Sequence, residues 1–347
     1  MRQKKGKWVL AISAVGTVLF VLVLWLLLRR LEAVLPTRGR DAADKSQSAD
    51  TGSVPAPVGT VKLNGQKYDY YHRIKSYLFI GTDYSGQEKT EGTEYVGAMA
   101  DFLALLAVDQ TAESYGILQL NRDTMMNIRL IGKNGKGEAK AKQQLCTAHW
   151  YGGNIEQSDQ NMVEAVERLL GGIKIDWYYT LNIKDIPKLN QAVDGVEVTV
   201  EDDFSESDPS LIKGETVVLT DDQAFHFVHD RMNVGDGENI SRMCRQKAYM
   251  EGWRKKASEK LKEDSGWLNA LYEELMGDSS TDLEGRDISR IVNQTYKYNS
   301  DGIRTIDGTV KLGKALGDGL EHTEYYLDKQ SLCETMKELY SLEERGE

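Results

Sequence analysis

Two aspartates and a small set of arginines, all placed where regular patterns end, are the residues best suited to chemistry. Asp83 closes the apolar run FIGTD (79–83), and Asp101 sits at the start of ADFLALLAVD (100–109). If those runs are neighbouring strands, both carboxylates fall at one edge of a sheet. Two oxygen ligands with open water positions suit Mg²⁺ held jointly with a substrate phosphate. The run GILQLNRDTMMNI (116–128) breaks its apolar pattern at Asn121, Arg122, Asp123 and Thr124, setting a cation beside an anion where a strand leaves the core. Further on, VHDRMNVGDGENISRMCRQ (228–246) places Arg231 after one helical pattern and Arg242, Arg245 and Gln246 at the start of the next. Arg242 and Gln246 are four apart and share a helical face. A guanidinium presents paired planar donors that match phosphate oxygens, and a helix N-terminus adds unpaired N–H groups. Each feature alone is equally a turn cap or a surface ion pair.

Other chemistries lack their residues. There is no G-x-S-x-G, no H-E-x-x-H and no G-x-G-x-x-G after a strand. GKNGKGEAK (132–140) has glycines and lysines without phosphate-loop order, so it reads as a solvated loop. His226 and His229 are three apart on a helical pattern, but no third metal ligand accompanies them. Cys146, Cys244 and Cys333 are odd in number and widely spaced, which excludes a zinc framework and a disulfide scaffold; a single bridge stays open.

The elements that must position these residues are legible. Residues 76–83, 101–109 and 114–121 read as strands, with QTAE between the last two as a hairpin turn. NIEQSDQNMVEAVERLLGG has helical spacing stopped by Gly171 and Gly172. IDWYYTLN and GVEVTV read as strands flanking a short helix over IKDIPKLNQAV. TDDQAFHFVHDR opens with a capping residue, and a long helix is expected over 240–262. Strands mixed with helices throughout predict one α/β domain with sheet and helices in layers.

Charge is uneven along the chain. Residues 1–40 carry eight basic groups against Glu32 alone, so the remainder holds a net −18 of the total −11. A domain that acidic repels nucleic-acid phosphates, and no nucleic-acid partner is expected. The basic groups flank 21 uncharged residues, 8–28, enough to cross a bilayer core of roughly 30 Å. The run ends in Arg29-Arg30 without a small-residue cleavage site, which favours an uncleaved anchor. Cations preceding the span predict a cytoplasmic tail over 1–7 and an extracytoplasmic main domain. Residues 29–60, small and polar with prolines, read as a tether. The domain is expected over 61–347.

In order, FIGTD, ADFLALLAVD, LQLNRDT, LCTAHWYGG, VERLLGGIKIDWYYTLNIKDIPKLNQAVDGVEVTV and HDRMNV…SRMCRQ resemble the LytR–CpsA–Psr family, most clearly over 76–257. The resemblance implies a three-layer α-β-α fold with a central mixed sheet and an apolar pocket for a polyprenyl chain. It implies a membrane-anchored phosphotransferase that moves a glycopolymer from an undecaprenyl-pyrophosphate carrier to peptidoglycan. Asp83 and Asp101 then take the metal positions for Mg²⁺, with Mn²⁺ as substitute, and Arg122 assists catalysis at the pyrophosphate. Arg231, Arg242, Arg245 and Gln246 complete the head-group clamp, with Asp123 orienting Arg122 by hydrogen bonding. The chain departs from the family pattern at Ala100, Asn121, Cys146 and His229. A non-catalytic polyprenyl-phosphate binder and a carrier-lipid pyrophosphate hydrolase remain as alternatives.

Overall fold

A run such as ADFLALLAVD has no polar face, so its strand must be covered on both sides. In the computed structural model it is a central strand of a six-stranded sheet. The structure describes residues 56–83, 95, 97–132, 134–137, 139–264, 267, 271, 280–283 and 298–346. The tail, the anchor and all but the end of the tether (56–60) lie outside these residues. Among those described, no helix is long and apolar enough to cross a membrane.

The strands are β1 (Gly59–Leu63), β2 (Gln66–Tyr70), β3 (Ile74–Thr82), β4 (Ala100–Asp109), β5 (Ser114–Gln119), β6 (Met125–Leu130), β7 (Ala139–Gln144) and β8 (Trp177–Asn182). They continue as β9 (Glu197–Thr199), β10 (Thr216–Val218), β11 (Ser280–Thr281), β12 (Asn299–Arg304), β13 (Gly308–Gly313), β14 (His322–Leu327) and β15 (Glu343–Glu344). The helices are α1 (Ile155–Leu169), α2 (Ile186–Ala192), α3 (Asp221–His229), α4 (Asn239–Glu263) and α5 (Lys329–Tyr340).

The central sheet runs β11-β8-β3-β4-β5-β12. It is mixed: β3–β4 and β4–β5 are antiparallel, whereas β3–β8 and β5–β12 are parallel. Alternate residues of each strand serve opposite faces. Leu103, Leu105 and Ala107 join Leu78 and Ile80 in a core closed by α1 and α5 through Met162, Val166, Met336 and Tyr340. Ala104, Leu106 and Val108 join Tyr77 and Phe79 in a second core closed by α2, α3 and α4 through Leu189, Phe227, Met250 and Trp253. Trp253 is fully buried and its indole N–H donates to Leu189 O at 2.6 Å, tying α4 to α2.

Local signals act as their chemistry requires. Thr220 and Gln223 form a capping box at α3. Asn154 caps α1 by accepting from Gln157 N, and Gly171 and Gly172 follow that helix with positive φ. The QTAE turn joins β4 to β5, with Asp109 opposite Ser114. The helix expected over 240–262 spans Asn239–Glu263. The loop expected over 132–140 lies between antiparallel strands β6 and β7, which the sequence pattern did not disclose, and its last two residues, Ala139 and Lys140, already belong to β7.

A buried polar knot braces the sheet edge that carries Asp101. His149 contacts Ala98 O through Nδ1 at 2.8 Å and Asp159 Oδ1 through Nε2 at 2.9 Å. Thr180 Oγ1 donates to the same carboxylate at 2.5 Å and Ser280 Oγ at 2.6 Å. The knot fixes the backbone two residues before β4. His149→Ala leaves Ala98 O and part of Asp159 unpaired in a dry setting, and a loss of at least about 2 kcal/mol is expected. A lowered urea midpoint at unchanged m-value would register it; an unchanged midpoint contradicts it.

Candidate functional site

Asp101 owes its direction to a bulge. Gly81 pairs with Phe102 and Thr82 with Ala100, so Asp101 is the extra residue between two partners. A bulge re-aims a side chain away from the regular pleat. Here it turns the carboxylate toward two guanidinium groups. Asp101 Oδ1 accepts from Arg122 Nη1 and from Arg242 Nη1, each at 3.0 Å.

Arg122 stands just beyond β5 in a turn built by Asn121. Asn121 Oδ1 accepts from Asp123 N at 3.0 Å, and Thr124 Oγ1 donates to Asn121 O at 2.6 Å. Asn239 Nδ2 donates to the same Asn121 Oδ1 at 2.9 Å. Asn239 Oδ1 in turn accepts from Arg242 Nε at 3.1 Å and Nη2 at 2.7 Å. Asn239 therefore joins the Arg122 turn to the first turn of α4. Nothing in its sequence setting marks this role, because its partners lie 118 residues away and three residues along. The first turn of α4 has no side-chain cap, so its leading N–H groups are available to an anion.

Arg231 completes the group. Its Nε donates to Gly237 O at 3.0 Å and its Nη2 to Thr323 Oγ1 at 2.9 Å. Nη2 also lies 3.1 Å from Asp123 Oδ2, out of hydrogen-bond alignment. Asp123 does not orient Arg122 by a hydrogen bond, contrary to expectation: its carboxylate is 4.0 Å from Arg122 Nε and closer to Arg231. Arg122 Nε is buried without a hydrogen-bond partner.

Arg245 is placed elsewhere. Its Nε donates to Phe227 O at 2.8 Å, its other nitrogens to Asp202 and Asp230 O, and its guanidinium rests 5.3 Å from the Phe204 ring centroid. Those contacts occupy the whole group in fastening α4 to α3, its C-terminal end and the segment around Asp202–Phe204, and they correct its expected place in the clamp. Gln246 is buried, accepting from Gln119 Nε2 at 3.1 Å and donating to Val228 O at 3.2 Å. His226 and His229 both direct Nδ1 at Asp230, at 2.8 and 3.1 Å. Asp83 is exposed one residue past β3, at the same sheet end as Asp101.

The electrostatics follow from packing. Burial pushes Arg242 down to about 10, opposed by Asp101 and reinforced by Arg122 and Arg231, so it stays charged at neutral pH. Burial also works against the Arg122 charge, but Cys146, Asp101 and Asp123 outweigh it and hold its pKa above the guanidinium norm. Burial raises the Cys146 thiol in spite of Arg122 beside it, so the two carboxylates are the anions that count there. For Asp101, burial favours the neutral acid, yet Arg122 and Arg242 prevail and hold its pKa below the usual value. Cys146, Cys244 and Cys333 are all free thiols.

For a divalent cation, Asp101 has its second oxygen outside both arginine bonds, and Asp83 stands at the same edge. Among the described residues no cluster of three or more His, Cys, Asp or Glu forms a cage. That donor set fits Mg²⁺, which keeps waters and shares itself between one or two carboxylates and phosphate oxygens. Beside the arginines, between sheet and helices, lies a small, partly open apolar slot with a cavity volume of about 40 Å³. Its walls include Gly81, Phe102, Leu181, Ile183, Val228 and Tyr249. Phe102 adjoins Asp101, and Gln246, also in the lining, is one turn on from Arg242.

The guanidinium groups thus gather at one edge of the sheet of a mixed α/β domain, next to an apolar slot. The chain belongs to the LytR_cpsA_psr family, whose model matches residues 40–341. It is 28% identical over 183 residues to the polyisoprenyl-teichoic acid–peptidoglycan teichoic acid transferase TagU of Bacillus cereus, covering 53% of this chain and 52% of that protein. The match thus spans about half the length of the curated relatives. Among solved structures, gbs0355 from Streptococcus agalactiae shares the fold at TM-score 0.60 and 18% identity, over 79% of this chain and 90% of that one. TagT bound to LI-WTA does so at TM-score 0.55 and 20% identity, over 77% and 90%.

Because the folded pKa of Asp101 is depressed, its ion pairs stabilise the protein at pH values above the unfolded value of roughly 3.9. That contribution is lost as pH falls through the folded pKa. Asp101→Asn removes the anion between two buried cations and is expected to cost about 3–5 kcal/mol at neutral pH. Denaturant titrations of both proteins should converge as pH drops below about 4. A gap that persists undiminished to strongly acidic pH contradicts the assignment.

Proposed function

We propose that this chain is a phosphotransferase that moves a glycopolymer from a polyisoprenyl-pyrophosphate carrier, undecaprenyl in kind, to a hydroxyl of peptidoglycan. The observation that carries this is the joining of three guanidinium groups to an apolar slot at one sheet edge. A pyrophosphate needs the first and an isoprenoid tail needs the second. The TagU relative is named as a polyisoprenyl-teichoic acid–peptidoglycan teichoic acid transferase, which supports a transfer of this kind here. Residues 8–28 anchor the chain in the membrane where such a carrier resides, with the domain on the extracytoplasmic side.

The tail enters the slot along Phe102, Val228 and Tyr249, which orients the pyrophosphate toward Arg122, Arg231 and Arg242. An acceptor hydroxyl attacks the phosphorus that bears the polymer. The bond to the bridging oxygen breaks, and polyisoprenyl phosphate departs with that oxygen. The guanidinium groups stabilise charge that develops on the phosphoryl oxygens. Transfer of this kind depends on positioning and charge more than on a strong nucleophile, in keeping with a site that has none. Asp83 and Asp101 would hold Mg²⁺, which supplies further charge neutralisation at the pyrophosphate when bound. The hydroxyl proton passes to an aspartate at this edge.

The full chain mixed with a polyisoprenyl-pyrophosphate-linked sugar and short peptidoglycan strands, with Mg²⁺ or chelator, should release polyisoprenyl phosphate and label the glycan. Arg122→Lys keeps the charge but loses the paired donors, and a fall of about 10²–10³ in turnover is expected, with Arg122→Ala lower still. Release of free glycosyl phosphate would mark a hydrolase instead. Tight carrier binding without release would mark a binder, and wild-type rates in both Arg122 variants would sink the assignment.

A further inference from the structure

The N–H donors of the Arg122 guanidinium meet unequal partners. Nη1 donates to Asp101 Oδ1 at 3.0 Å, while Nε is buried, 4.0 Å from Asp123 and without a hydrogen-bond partner. Nη2 donates to the sulfur of Met99 at 3.3 Å. Met99 and Asp101, two residues apart, thus hold the two terminal nitrogens. Because Nε is closed off, Nη1 and Nη2 are the pair that can reach two oxygens of a phosphate. Among the described methionines, Met99 alone accepts a hydrogen bond through its sulfur.

A thioether is a weak acceptor. It steadies Nη2 yet gives it up to a phosphate oxygen at little cost, which an amide or carboxylate in its place could not do. A thioether is also open to oxidation, which turns it into a polar sulfoxide. Access selects among the methionines. Met162 and Met336 are fully buried and Met243 and Met250 nearly so, whereas Met99 is partly exposed. Met125 and Met126 are partly exposed and Met232 is 81% exposed, but none of the three holds a donor. The Cys146 thiol also lies against Arg122, but at 1% exposure it is closed to a reagent in solution. Met99 is therefore the sulfur that both touches the guanidinium and can be reached.

We propose that Met99 is a positioning residue for Arg122 and a modification site through which hydrogen peroxide closes the anion site. The sulfur attacks one peroxide oxygen, the O–O bond breaks and an S–O bond forms. The transferred oxygen gives its proton to the departing hydroxide, which leaves as water. Sulfur is oxidised by two electrons and the peroxide is reduced by two. The new oxygen is a strong acceptor set in the gap between Sδ and Nη2, so it keeps that donor and Arg122 loses half of its phosphate-binding pair. Asp101 keeps its bond to Nη1. The inference rests on the reading of Arg122 as a phosphate ligand and adds a means of regulating it. Sulfoxide reduction makes the change reversible.

The test is calorimetric binding of inorganic pyrophosphate to the full chain before and after hydrogen peroxide, with peptide mass spectrometry locating the added oxygen. Oxidised wild type is expected to bind about tenfold more weakly, as for the loss of one charge-assisted hydrogen bond, in proportion to the oxygen found at Met99. Methionine sulfoxide reductases for both epimers should restore the affinity. Met99→Gln sets a permanent strong acceptor at Nη2 and should start near the weakened value. Met99→Leu keeps the volume but loses the acceptor, so a fall of about threefold is expected, with no further fall on peroxide. Met232→Leu should bind as wild type does and stay sensitive to peroxide. Sensitivity kept in Met99→Leu or lost in Met232→Leu overturns the proposal. Unchanged affinity in protein oxidised at Met99, or a Met99 left intact while Met232 takes up oxygen, overturns it too. So does a lowered urea midpoint after oxidation, which marks unpacking instead. Pyrophosphate binding that peroxide leaves intact spares the transferase reading, whereas a wild type that binds no pyrophosphate removes the anion site and the switch with it.

Discussion

Three guanidinium groups held together in a largely buried setting repel one another, and the structure depends on how that repulsion is contained. Like charges a few ångströms apart cost on the order of 4 kcal/mol at an effective dielectric of 20. Asp101 answers two of them from a single oxygen, and Asp123 sits between Arg122 Nε and Arg231 Nη2. The balance is incomplete: three cations face two carboxylates. The group is left with a net charge of +1. The depressed Arg242 value records the same imbalance, since burial and its two cationic neighbours act against its proton.

Containing the repulsion requires elements far apart in the chain to arrive within tenths of an ångström. The bulge in β4 delivers Asp101, the Asn121 turn delivers Arg122, and α4 delivers Arg242. Asn239 then closes the group by bonding both to the turn and to the guanidinium of its own helix. Behind them, α4 is held at its middle by Trp253 against α2 and near its start by Arg245 against α3. Arg245 looks like a member of the cluster but acts as a fastener for it. A slip of one residue in β4 would exchange the two cores that flank the sheet, so the register that aims Asp101 is also the register that buries Leu103 and Leu106.

Much of this was legible in the sequence where local chemistry decides the outcome. The β4–β5 hairpin, the Thr220 cap, the glycines after α1 and the extent of α4 all follow from patterns within a dozen residues. Arg122, Arg231, Arg242 and Asp101 were singled out because their types suit a phosphate and their order matches a family, and the structure brings them together. What escaped depends on register and on distant partners. The bulge at Asp101 exists only relative to Gly81 and Thr82. Arg242 and Arg245 are three apart, and helical phase alone does not say which faces the site; the path of residues 202–230 decides it. Asp123 was assigned to its neighbour Arg122 because Arg231 is remote in sequence. Thr323 and the β6–β7 pair were invisible for a related reason: their role comes from what packs across them.

The small sheet at the edge of the domain carries a further implication. β15 pairs with β2, Glu343 opposite Asp69, and Arg345 lies 3.1 Å from Asp69. Near the other margin β12, starting at Asn299, supplies the last parallel strand beside β5. The earliest and latest described residues thus close one structure, and four strand pairs, β3–β8, β8–β11, β5–β12 and β2–β15, join segments well separated in sequence. Closing such loops is slow because chain entropy is spent before any contact repays it. The arginine cluster draws on β4, the turn after β5, the start of α4 and Thr323 of β14, so its full set of contacts forms only once those elements have come together. In a growing polypeptide this delays the gathering of repelling charges until the whole scaffold stands ready to hold them.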